Sequence, residues 1–241
     1  MGRRIGALLL VTLTWVPLWA PAPAGAVTGP DVITYSVQGK GNVSDLEAFA
    51  ADAATTYADT RGWSLGGSVR FERVDRGGDF TLWLASDALM STFGGACDVV
   101  WSCRNGRHVV INEDRWVGAS DAWNEAGGSL AEYRRMVVNH ETGHWLGFGH
   151  AQCGGPGQPA GVMQQQSMTL GGCEFNPWPL PSERAVVAAR RDVPIVQGGE
   201  TLDPTPTPTT PPAPAPASPR FEDACLDRLG RVALRPWTRC F

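Results

Sequence analysis

An α+β fold is what this 241-residue sequence predicts. Five short stretches, rich in β-branched and aromatic residues, read as strands. Three longer stretches repeat apolar residues at helical spacing, and one of them opens on a full capping signature.

The elements follow in chain order. Residues 1–26 read as a signal peptide: Arg3 and Arg4 give a positive start, Ile5 to Ala20 is apolar and uncharged, and Ala24-Gly25-Ala26 is a small-x-small cleavage site. The mature chain is expected to begin at Val27 and to be secreted. The apolar run is short for a bilayer, and Pro17, Pro21 and Pro23 interrupt it, so no stable membrane insertion is expected after cleavage.

Residues 27–197 carry the globular pattern, enough chain for a real core. Val32 to Val37 is a strand candidate. Ser44 to Thr60 is a helix candidate, with Ser44 as N-cap and Glu47 three residues on. Val69 to Val74, Phe80 to Ala85, Val99 to Cys103 and His108 to Asn112 read as further strands, and Gly118 to Gly128 as a loop. A helix then starts at Ser129-Leu130-Ala131-Glu132, a capping box. It places Tyr133, Met136, Val137, His140 and His144 on one stripe. Cys153 to Pro181 shows no period. Ser182 to Arg191 reads as a last helix, with Ala185, Val186, Val187 and Ala189 on its apolar side. Residues 198–220 form a Pro/Thr/Ala-rich linker that cannot build a core and should run as polyproline II. Residues 221–241 form a small C-terminal tail, for which contact with the cell envelope is one expectation and a passive extension the other.

The formal net charge is −4, becoming −6 once Arg3 and Arg4 are removed. This mild acidity argues against nucleic acid or an anionic membrane as partner. Six cysteines in an exported chain are expected to form disulfides. Sequence proximity suggests Cys97–Cys103, Cys153–Cys173 and Cys225–Cys240. None forms a C-x-x-C pair, so a separate thiolate site is not expected.

Residues 140–150 spell H-E-x-x-H-x-x-G-x-x-H and hold three of the four histidines in the chain. From the chain's own composition, a chance match has odds of roughly a few in a million, so the spacing demands a chemical reason. Histidines four apart on a helix point the same way, so His140 and His144 reach one ion. His150 joins them only if the chain turns back, and Gly147 permits that turn. Three imidazoles suit Zn2+ and leave a coordination position open. Glu141, beside the first ligand, is placed as general base for an activated water. A closed structural site fits less well, because such sites take four ligands, often thiolates.

This extended motif resembles the metzincin clan of zinc endopeptidases. The resemblance implies a twisted mixed sheet, an active-site helix and a small irregular C-terminal subdomain. It also implies a Met-turn beneath the metal. Met163 lies 13 residues past His150 and is the candidate, with Met168 as rival. Arg135 with Asn139 to His144, the run Gly161 to Ser167 and the run Cys173 to Pro179 resemble something narrower: a domain-of-unknown-function family of secreted, zincin-like proteins of high-GC bacteria. Two positions depart from common metzincin patterns. Gln165 stands where some families have tyrosine, and Ala151 where several have Asp, Glu or Ser. The oxyanion partner is therefore unassigned among Gln164, Gln165, Asn112 and His108. Only about five residues separate Ala26 from the first strand, and no unpaired cysteine remains, so no inhibitory propeptide is expected.

The expectation is a secreted, monomeric zinc metallopeptidase acting on peptide or protein substrates. The alternatives are a zinc-stabilised cell-surface binding module without catalysis, and a zinc amidase acting on cell-wall peptides.

Overall fold

A computed structural model describes residues 29–196, together with Gly2 and residues 225–226 and 232–233. The expected signal peptide, the Pro-rich linker, most of the tail and the Cys225–Cys240 pairing lie outside the described residues. The chain separates into two units, Met1–Gly198 and Gly199–Phe241.

The first unit is a mixed α+β structure. Strands β1 (Asp31–Lys40), β2 (Val69–Arg73), β3 (Phe80–Ala85), β4 (Cys103–Asn105) and β5 (His108–Asn112) form one sheet in the order β2-β1-β3-β5-β4. All neighbours are parallel except β4, which runs antiparallel to β5 and forms one edge. Strand β1 is longer than its apolar pattern predicts because it has two partners in succession. Asp31 to Tyr35 pair with β2, and Tyr35 to Lys40 pair with β3. In β3 the period-two pattern is plain: Phe80, Leu82 and Leu84 are buried in the main core.

A parallel pair needs a crossover, and helix α1 (Leu46–Ala58) supplies it between β1 and β2. Its N-cap is Asp45, whose carboxylate accepts from the N–H groups of Glu47 and Ala48. This corrects the expected Ser44 cap: the Ser44 N–H donates instead to Glu113. The predicted strand at Val99 to Cys103 is also corrected. Asp98 accepts from the N–H groups of Val100 and Trp101, which closes a turn there, and the strand starts at Cys103. Short helices α2 (Asp87–Met90), α3 (Glu113–Gly118) and α4 (Asp121–Glu125) were not expected. Asn112 caps α3 and Ser120 caps α4, so part of the expected Gly118 to Gly128 loop is a helical turn.

Helix α5 (Leu130–Trp145) packs against α1, β4 and β5. Its capping box is present in full: Ser129 Oγ accepts from the Glu132 N–H, and the Glu132 carboxylate accepts from the Ser129 N–H. Helix α6 (Pro181–Arg191) ends the unit. It buries Val187 and Ala188, while Ala185, Val186 and Ala189 face outward, which corrects the expected apolar side. Two disulfides are formed, Cys97–Cys103 and Cys153–Cys173. No helix among the described residues is long and apolar enough to cross a membrane. In the second unit, β6 (Cys225–Leu226) and β7 (Val232–Ala233) make a two-stranded antiparallel pair.

Candidate metal centre

Helix α5 is anchored from behind, which fixes what its front face presents. The indole N–H of Trp63 donates to the Asn139 carbonyl at 2.9 Å, and the Tyr57 and Thr142 hydroxyls lie 2.9 Å apart in the core. Tyr57, Trp63, Asn139 and Thr142 are all buried, so these bonds have little competition from water.

The helix ends in a Schellman turn. The Phe148 N–H donates to the Gly143 carbonyl at 3.0 Å and the Gly147 N–H to the His144 carbonyl at 3.1 Å. Gly147 has φ +95°, a conformation that a side chain would strain. This turn sends the chain back, and His150 returns to the two helical histidines.

The three imidazoles converge. His144 Nε2 lies 3.1 Å from His140 Nε2 and 3.1 Å from His150 Nε2. His140 Nδ1 is 2.7 Å from the Val162 carbonyl and His144 Nδ1 is 2.9 Å from the Phe148 carbonyl. A carbonyl only accepts, so both Nδ1 atoms carry the proton and both Nε2 atoms present a lone pair. Burial keeps these rings neutral, pushing the His140 pKa down to about 3 and lowering that of His144. Two unprotonated nitrogens facing each other at 3.1 Å cannot hydrogen-bond, and a cation between them removes the conflict. Tetrahedral Zn2+ with bonds of about 2.0–2.1 Å would set its nitrogen ligands roughly 3.3 Å apart. The donor set therefore fits a metal ion, and His140, His144 and His150 could hold one.

Glu141 lies beside them, only 4 % exposed. Its Oε2 has no hydrogen-bond partner. Burial pushes its pKa up to about 8, partly offset by the positive charge of Arg104. A divalent cation held by the histidines would pull it back down. The three histidines and Glu141 line one cavity of ≈ 310 Å³, with Arg104 and Trp101 also on its walls.

Met163 is buried behind this wall, its side chain filling the space beside Gly143. A Cβ on Gly143 would stand 2.3 Å from the Met163 sulfur, so Gly143 leaves room for the methionine. The rival Met168 is 50 % exposed and lines the cavity rim instead. The turn carrying Met163 is held by a residue that sequence reasoning missed. The Glu183 carboxylate, in the first turn of α6, accepts from the N–H groups of Val162 at 3.1 Å, Met163 at 3.0 Å and Leu180 at 2.7 Å. Since the Val162 carbonyl receives His140, Glu183 lies one peptide from a candidate ligand. Its position at N3 of a helix was the available signal. Glu183→Gln would turn an amide N–H toward this row of donors and leave a partly buried N–H unpaired. It is expected to lower unfolding free energy by about 1–3 kcal/mol, measured by urea titration. An unchanged denaturation midpoint would remove this role.

The remaining candidates separate. Gln164 is buried, and its amide donates to the Thr169 and Leu170 carbonyls. Asn112 is buried; it caps α3 and donates to the Val99 carbonyl. His108 accepts from the Trp83 indole at the sheet surface and is not among the residues lining the cavity. Gln165 does line the cavity, with its amide against the Met168 sulfur at 3.3 Å. Ala151 contributes backbone only, its N–H donating to the Met163 carbonyl at 2.9 Å.

Residues 21–177 match the model of a protein family described as "Protein of unknown function (DUF3152)". No curated protein matches the chain.

Proposed function

The chain belongs to the DUF3152 family, and from that premise we propose that it is a secreted zinc endopeptidase of metzincin type. One observation carries the reading. Three imidazole Nε2 atoms converge beside a buried carboxylate, at the wall of a cleft large enough for part of a peptide. A structural zinc site has no use for an unpartnered glutamate there.

His140, His144 and His150 would hold Zn2+. When bound, the ion supplies a Lewis acid that polarises a carbonyl and acidifies water. Glu141 takes the proton of the attacking water and passes it to the leaving amine. The Val162 and Phe148 carbonyls fix the His140 and His144 tautomers, and Met163 supports the helix from beneath. Strand β4, the last strand of the sheet among the described residues, has Cys103 and Arg104 on the cleft wall and would align an extended substrate by backbone pairing. Two disulfides in the first unit support an oxidising compartment, hence export of a chain whose cleavage after Ala26 the sequence suggests.

Metal removal tests the reading. Protein dialysed against a chelator is expected to lose all cleavage of an unfolded protein substrate, and one equivalent of Zn2+ to restore it. Cleavage that persists in metal-free protein would sink the proposal. If the protein takes up zinc but cleaves neither proteins nor cell-wall peptides, the binding-module reading takes its place.

A further inference from the structure

Among the described residues, the cleft wall carries a single permanent cation. Among the residues that line it, Arg104 is the only Lys or Arg. Its side chain is exposed, and no ion pair is formed to it among the described residues. The acid on the same wall, Asp98, is engaged with the Val100 and Trp101 N–H groups. Glu141 Oε2 has no hydrogen bond, so the guanidinium is not spent on that oxygen either. Yet Arg104 lines the same cavity as Glu141, His140, His144 and His150, so it stands at the wall of the reacting centre.

Its backbone is held firmly. Arg104 pairs with Val109 across β4 and β5, and the neighbouring Cys103 is bonded to Cys97. The rest of the cleft is largely apolar: Ala96, Trp101, Met136, Val137 and Met168 contribute to it. A lone guanidinium among apolar groups, with no partner of its own, is a receptor for a planar anion. Its fork of donors matches a carboxylate in two-point contact.

We propose that Arg104 makes this cleft selective for peptides that carry a carboxylate beside the reacting amide, either an acidic side chain or a free C-terminal carboxylate. This rests on the peptidase reading above. It makes Arg104 a specificity residue that contacts substrate, and it assigns the substrate class that the motif leaves open.

Binding tests it without turnover. The Glu141→Gln protein, loaded with Zn2+, is titrated calorimetrically with hexapeptides that differ only in Glu, Gln or Lys at each position in turn. A second pair differs in a free or amidated C-terminus. The Glu peptide at one position, or the free C-terminus, is expected to bind at least about tenfold more tightly than its neutral counterpart. Which arm responds identifies the source of the carboxylate. Adding Arg104→Gln is expected to abolish the preference and Arg104→Glu to reverse it toward Lys. Absent binding, equal affinity across both series, or a preference that survives Arg104→Gln, would overturn the proposal. A carboxylate preference without any turnover by the zinc-loaded wild type would overturn the peptidase reading alone.

Discussion

Glu141→Gln is expected to lower peptide turnover by about 10²–10⁴-fold, the usual contribution of a placed general base, while zinc stays bound. The amide matches the carboxylate in size and fills the same buried position, so packing is kept. It cannot accept a proton from water, and that is the step removed. The amide is neutral without a proton, whereas burial makes the metal-free glutamate take one up to become neutral, so the metal-free variant is expected to melt no lower than metal-free wild type at neutral pH. Three measurements check this: kcat/KM on a cleaved peptide, zinc content after gel filtration, and Tm. Activity within tenfold of wild type would remove Glu141 from the base role. Loss of zinc would make it a ligand instead. A non-catalytic binding module would keep its ligand in this variant.

The second large effect lies at His144, the hub of the cluster, with its Nε2 3.1 Å from both other Nε2 atoms. His144→Ala is expected to weaken zinc binding by roughly 10²–10³-fold or more, since protein zinc sites spread about 10–16 kcal/mol over their ligands. Without metal, the same change removes the close lone-pair contact between His144 Nε2 and His140 Nε2, so the fold itself should survive. The distinguishing signature is linkage. Zinc at about 1,000 times its Kd should stabilise wild type by about 4 kcal/mol. At that zinc concentration a roughly 10²–10³-fold weaker site gains only about 0.4–1.4 kcal/mol, so the variant's zinc-induced rise in Tm should be about a third of wild type's or less. An equal rise in both proteins would show that His144 is not a ligand.

The centre was legible because its geometry is local. Helical periodicity aligns His140 with His144, and a glycine at the Schellman position turns the chain within three residues. The capping box at Ser129 was readable for the same reason. What failed was also local, but contested. Asp45 displaced Ser44 as cap because Ser44 is held by Glu113, far away in sequence. Asp98 closed a turn where β-branched residues suggested a strand. The segment from Cys153 to Pro181 has no period because side-chain amides organise it. Gln166 bonds the Gly161 and Asn176 carbonyls, and Asn176 bonds those of Ala160 and Trp178. Such bonds leave no repeat for a pattern to follow.

The sequence by itself determined the α+β class, the three histidines, the glutamate beside the first and the two cystines of the first unit. Each depends on spacings of a few residues along the chain, or on cysteines close together in it. Only the tertiary structure decided that Met163 and not Met168 underlies the helix, that Gln164, Asn112 and His108 are occupied elsewhere, and that Glu183 and Arg104 flank the centre. The reason is physical. A side chain's availability for chemistry depends on whether its polar atoms are already bonded, and those partners come from strands and turns distant in sequence.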